Sequence, residues 1–279
     1  MKKANIVILA GQSNMVGVGH RQFLKDHVSE EKLAEYNEGY ENVKINYYSH
    51  VKRSDGFEKT VAGGLDNYFG TIGPELSMAE YFTEKYPGEE FFVVKCAFGA
   101  TDLYNEWCSP SSKQIFSYEE TKHCSIIGER KTGWCYNELI FILRESIKIL
   151  ENDGYSPEIR GFCWMQGESD AHSMEIVDQY IWLYDNLLKD LNREFDGYFS
   201  KDCTYVDAGI SEIWICYREM NERKKAYAES KENFHFIDTI GAGLTTTNEP
   251  PEKPDIYHYD VDSVLKLGRL FAEKISFSR

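Results

Sequence analysis

The chain has 279 residues, enough for one large α/β domain or two small ones around a real core. Hydrophobic residues make up 42% and charged residues 28%, ordinary proportions for a globular protein. Asp and Glu number 46 against 31 Lys and Arg, and the resulting charge of −15 repels phosphate backbones and anionic lipid heads, so nucleic acid and membrane surfaces are poor partners and a small neutral substrate is the easier one to accept.

Lys2 and Lys3 precede the apolar run Ile6–Ala10, which reads as a first strand. The run is too short for the core of a signal peptide, and polar Gln12, Ser13 and Asn14 follow it directly. The expected location is therefore cytoplasmic. No stretch approaches the ~20 apolar residues of a membrane span. Further strands are expected at Val43–Tyr48, Phe91–Ala97, Ile159–Gln166, Thr204–Asp207 and His235–Ile237. All are short and apolar without clean alternation, as in strands covered on both faces of a parallel sheet.

Helical periodicity falls between them. Glu75–Lys85 stops before Pro87-Gly88. Trp134–Glu151 carries Leu139, Ile142, Leu143, Ile147 and Leu150 at helical spacing and ends at Asn152-Asp153-Gly154. Met174–Glu194 repeats the pattern, and Val261–Phe277 closes the chain. Strand–helix alternation implies a parallel sheet with right-handed crossovers. With no linker, repeat or low-complexity segment, a single domain over residues 1–279 is expected.

Residues 100–133 break the alternation. They hold Trp107, Phe116 and Tyr118 among polar residues without a period. A long irregular segment in a compact domain is usually functional or disordered, and the aromatics argue against disorder. They either pack the segment onto the body or border a cleft. The seven cysteines fit a reducing compartment. Cys108, Cys124 and Cys135, with His123, have irregular spacings and no C-x-x-C pair, so they read as thiols and no metal is expected.

Four short motifs carry chemistry. Gly11-Gln12-Ser13-Asn14-Met15 puts a serine at the carboxyl end of the first strand, where open α/β sheets bind ligands. Phe98-Gly99-Ala100-Thr101 follows the third strand, and Gly99 lets a backbone N–H approach a ligand. Trp164 through Asp170 follows the fourth, with the amide of Gln166 suited to stabilising an oxyanion. Asp255-Ile256-Tyr257-His258 offers a base and its orienter from one loop. Each alone is a common turn or cap. Together they supply nucleophile, base, orienter and oxyanion donors along one sheet edge.

These blocks resemble the signatures of the SGNH hydrolase superfamily, in its sialate O-acetylesterase-like and family-six carbohydrate acetylesterase branch. The resemblance extends to Gly73-Pro74-Glu75 and Leu267-Gly268-Arg269. It implies a flavodoxin-like three-layer α/β/α fold with a mostly parallel five-stranded sheet. It implies a triad of Ser13, His258 and Asp255, and an oxyanion hole from the backbone N–H groups of Ser13 and Gly99 plus the Gln166 side chain. Gln12, Asn14 and Glu168 are expected to support the site, Glu168 by holding its loops rather than acting as base. The implied function is a cofactor-free serine esterase that removes small acyl groups, acetyl above all, from carbohydrates. Two other readings stay open: a carbohydrate-binding protein without activity, and an esterase or thioesterase for another class of ester. The sequence does not set the oligomeric state.

Overall fold

The computed structural model describes residues 2–49, 52–63, 70–113, 121–124 and 128–277. Six parallel strands form its centre: β1 (Lys2–Gly11), β2 (Tyr40–Ser49), β3 (Phe91–Ala97), β4 (Tyr155–Met165), β5 (Phe199–Ala208) and β6 (Phe234–Ile237). Their spatial order is β2-β3-β1-β4-β5-β6. Lys52–Arg53 and Glu58–Thr60 add short antiparallel strands beside β2. The sheet is thus mostly parallel, as expected, but with eight strands among the described residues rather than five. Burial on both faces explains the unbroken apolar runs: every residue of β3 is buried, Lys95 included.

The helices used below are α1 (Ser13–Val16), α2 (Glu75–Lys85), α3 (Trp134–Asn152), α4 (Met174–Glu194), α5 (Tyr217–Glu229) and α6 (Val261–Lys274). Helices α2 and α6 pack on each other over one face of the sheet, and α3, α4 and α5 cover the other. Helix α6 ends three residues before the expected Phe277; Ile275 leaves it in extended backbone and packs over Gly161 of β4.

The contact between α2 and α6 explains two sequence features. A Cβ on Gly268 would stand 1.9 Å from the Pro74 carbonyl oxygen. Ser77 Oγ donates to the Leu265 carbonyl at 2.5 Å across the same contact. Only a hydrogen at position 268 allows this approach.

The segment after β3 is less irregular than expected. It contains a short helix at Pro110–Lys113 and a hairpin of Thr121–Cys124 with Gly128–Lys131. Trp107 is fully buried, edge-on to Trp164, with its Nε1 donating to Thr101 Oγ1 at 3.0 Å. For Trp107 the packing alternative therefore holds. Phe116 and Tyr118 lie outside the described residues, as do the side chains of His123 and Cys124. Cys108 and Cys135 are buried and not joined in disulfides, and among the described residues no cluster of His, Cys, Asp or Glu has metal-binding form.

Gly268→Ala is expected to separate α2 from α6 and to cost about 1–3 kcal/mol, as overpacking does. A denaturant titration should show a lower midpoint with an unchanged slope. An unchanged midpoint would refute the steric account.

Candidate active site

Three of the four motifs leave the carboxyl ends of the central strands β3, β1 and β4, and the loop after β6 brings the fourth to them. The first turn depends on Gly11. Its φ is +148°, and a Cβ there would lie 2.0 Å from the Met165 carbonyl oxygen on β4. Gln12 N then donates to that same oxygen at 2.9 Å, and the chain turns into α1 at Ser13. Lys95, fully buried, donates to the Val16 carbonyl at 2.8 Å and pairs with Glu75, fixing the far end of α1.

Ser13, Gln12, Gly99, Ala100, Asp255 and His258 all border one cavity of about 480 Å³. That is within the usual range for a small-molecule site. Val16, Val18, Trp214 and Tyr257 make the rest of its wall largely apolar. Ala100 is held at φ +55°, a left-handed conformation rare outside glycine and typical of functional turns. His258 Nδ1 is 2.6 Å from Asp255 Oδ2, and His258 N donates to the Asp255 carbonyl at 3.2 Å. Asp255 thus takes Nδ1 and leaves Nε2 as the basic nitrogen. No hydrogen bond joins Ser13 Oγ to the imidazole.

Asn14 connects the two halves. Its Nδ2 donates to Glu168 Oε1 at 2.8 Å and to the Tyr257 carbonyl at 3.4 Å. Its Oδ1 accepts from Tyr259 N at 3.0 Å. One side chain therefore grips the backbone on both sides of His258. Glu168 is 1% exposed, and its Oε2 has no partner. Burial pushes its carboxyl above the ordinary carboxylate range, opposed by Asn14, Lys224 and His258. A buried carboxyl with a raised pKa is a poor fit to a permanently charged base and a good one to a hydrogen-bonded brace.

Gln12 and Gln166 form a second network. Gln12 Oε1 accepts from Gln166 Nε2 at 3.2 Å and from Ser169 N at 3.2 Å. Gln166 is fully buried and does not border the cavity. Its Nε2 also faces the Thr101 carbonyl at 3.1 Å and Asp170 Oδ2 at 2.5 Å, while its Oε1 accepts from Tyr180 OH at 2.8 Å. An amide has two hydrogens, and both are occupied. In this arrangement the Gln166 side chain has none left for an oxyanion. Asp170 in turn accepts from Leu103 N and Tyr104 N, tying the segment after β3 to the turn after β4.

The motifs did not reveal the anchors of the His258 loop. Asp260 accepts from Asn248 N, Glu249 N and Thr245 Oγ1. Glu249 accepts from Val261 N at 2.9 Å and pairs with His27 Nε2 at 2.5 Å. Asp260, just before the last helix, is legible as a helix N-terminus; Glu249 and His27 are 222 positions apart and leave no local signal.

The comparisons with known proteins agree with this architecture. A protein from Arabidopsis thaliana shares the fold with a TM-score of 0.64 at 19% identity, over 96% of each chain. A carbohydrate acetylesterase from Xanthomonas citri shares it with a TM-score of 0.60 at 12% identity, over 98% of this chain and 55% of that one. No curated protein matches the sequence. The fold is a three-layer α/β/α sandwich. Residues 3–276 match the model of the carbohydrate esterase family described as sialic acid-specific acetylesterase, and the chain belongs to that family. It is a carbohydrate esterase.

Two outcomes test the brace. Asn14→Ala should lower kcat by about 10-fold or more with KM little changed, since it loosens His258 without touching the cavity; an unchanged kcat would refute it. Glu168→Gln keeps the acceptor to Asn14 and should keep most activity. A carboxyl whose pKa is raised on folding stabilises most below its unfolded value, near 4.5, and that stability is lost as pH climbs through the folded value. Thermal melts should show this fall in the wild type above pH 4.5 and a shallower one in Glu168→Gln. Equal pH slopes would contradict it.

Proposed function

We propose that the protein hydrolyses small acyl esters, acetyl esters first, on carbohydrates through a covalent acyl-enzyme on Ser13. The observation that carries the reading is that Ser13 and the Asp255–His258 pair border the same cavity, with Nδ1 of His258 already taken by Asp255.

Ser13 Oγ attacks the ester carbonyl, and His258 Nε2 takes its proton. Asp255 fixes the tautomer and stabilises the imidazolium. Catalytic hydrogen bonds of this kind are often long until substrate is in place. The carbonyl oxygen becomes an oxyanion at the start of α1, where Ser13 N–H belongs to the unpaired first turn of a helix. Gly99, across the cavity wall, supplies the second donor. Gln166 acts indirectly by orienting Gln12 and Asp170. His258 then returns the proton to the departing sugar hydroxyl. Water, deprotonated by the same Nε2, attacks the acyl carbonyl and releases the carboxylate and free Ser13. Every proton has a carrier, so the chemistry calls on no metal or organic cofactor.

Turnover of p-nitrophenyl acetate and of acetylated sugars by purified variants tests this. Ser13→Ala and His258→Ala should each abolish most of the rate, since members of a triad act as a unit. Asp255→Asn should cost less than the ~10⁴-fold known for a buried protease aspartate, because Asp255 is partly exposed to water. The wild type should prefer p-nitrophenyl acetate over the octanoate. A folded Ser13→Ala protein with more than a few per cent of wild-type activity would remove the nucleophile from the account.

A further inference from the structure

An oxyanion donor works only if it is held still before the reaction begins. The turn that carries Gly99 leaves the sheet at the end of β3, where Phe98 N donates to the Gly11 carbonyl at 3.1 Å. Gly99 and Ala100 then enter the cavity wall, Ala100 at φ +55°. A left-handed alanine persists only where its surroundings hold it.

The hold comes from the turn after β4. Asp170 is fully buried, and its carboxyl accepts from Leu103 N at 3.0 Å, from Tyr104 N at 3.2 Å and from Gln166 Nε2 at 2.5 Å. The same Gln166 nitrogen donates to the Thr101 carbonyl at 3.1 Å. Within the turn, Thr101 Oγ1 donates to the Phe98 carbonyl at 2.7 Å and accepts from Trp107 Nε1. Asp170 is itself seated by its own N–H on the Gly167 carbonyl at 3.2 Å. The stretch from Gly99 to Asp102 is therefore fixed at one end by β1 and at the other by Asp170.

These three partners of the Asp170 carboxyl are all N–H donors. A carboxylate suits them, having two acceptor oxygens and no hydrogen, whereas a carboxylic acid or a carboxamide sets a hydrogen against one of them. Asp102 faces it from the segment after β3. Tyr180 of α4 bonds the other end of the Gln166 amide, and Lys224 of α5 reaches the Gln166 carbonyl. Burial, and then the charge of Asp102, push the Asp170 carboxyl from the ordinary carboxylate range up toward neutrality.

We propose that Asp170 is a positioning residue for the oxyanion donor at Gly99: through the Leu103 and Tyr104 N–H groups and the Gln166 amide, its carboxylate holds the Gly99–Ala100 turn where the developing oxyanion meets it. This rests on the Ser13 esterase reading.

The test pairs p-nitrophenyl acetate with its thiono analogue, in which sulfur replaces the carbonyl oxygen and accepts hydrogen bonds weakly. The ratio of kcat/KM on the oxygen ester to that on the sulfur ester reads the oxyanion hole. A loss of folded protein or a weaker base lowers both rates and cancels. In Asp170→Asn, kcat on the oxygen ester should fall about 10- to 100-fold with KM within about threefold of the wild type. The ratio should shrink about tenfold. Titration with a fluorophosphonate should still label the variant fully, only more slowly. A folded variant with the wild-type ratio, or one in which KM alone changes, overturns the proposal.

The wild type gives a second reading that needs no variant. Between about pH 8 and about pH 5.5 its ratio should fall as Asp170 takes up a proton, because protonation of His258 slows both esters alike. A ratio flat across that range overturns the proposal whatever the variant does. A wild type inactive on both esters and unlabelled at Ser13 would overturn the Ser13 reading and this proposal with it, whereas an active wild type with a flat ratio removes the role of Asp170 alone.

Discussion

The site is held together by the Asn14 side chain. Residues 14 and 259 are 245 positions apart, yet one amide holds the backbone on either side of His258. Its neighbour Ser13 is fixed from the other direction by Gly11, pressed against β4. The Ser13 turn and the His258 loop are thereby referred to the same two strands, β1 and β4. Packing alone would not set this geometry, because hydrophobic contact is non-directional. A buried hydrogen bond is directional and costly to leave unmade. Glu168, buried and braced on Asn14, extends the link to the turn after β4.

Two buried lysines serve the same edge of the sheet. Lys95 pairs with Glu75 and donates to the Val16 carbonyl. Lys224 pairs with Asp207 and donates to the carbonyls of Gln166 at 2.6 Å and Ala208 at 2.5 Å. Each gathers a carbonyl where the chain leaves a strand or a helix next to the cavity. Ion pairs so deeply buried are weak contributors to stability, because desolvation offsets much of their attraction. Their positions suggest specification of shape: one sets the end of α1, the other the start of the turn that carries Glu168.

The parallel strands were legible because burial on both faces leaves unbroken apolar runs, and α3 and α4 because their buried stripes repeat every three to four residues. Helix α5 was not legible, for a physical reason. Its buried face is Met220, Lys224 and Ala228, so a lysine occupies the central position of the stripe and the apolar period vanishes. The short antiparallel strands at the sheet edge carry too few residues to show a pattern. At the site, local motifs pointed to Ser13, Gly99, Asp255 and His258, and all four reach one cavity. The placement of Gln166 was not legible, since its amide is committed by Thr101, Gln12 and Asp170, partners from three separate segments. The Trp214–Tyr257 ring contact in the cavity wall was equally hidden, being assembled from two loops with no shared pattern.

The central claim is that Ser13 carries the acyl group. It is tested most directly by exposing the protein to a fluorophosphonate, which phosphonylates a serine only where a base activates it and an oxyanion hole receives the phosphoryl oxygen. Intact-mass measurement followed by peptide mapping should find one adduct, on Ser13, forming in step with loss of esterase activity and absent in His258→Ala. An adduct on another residue that tracks the loss of activity, or full activity in protein labelled at Ser13, would contradict the account.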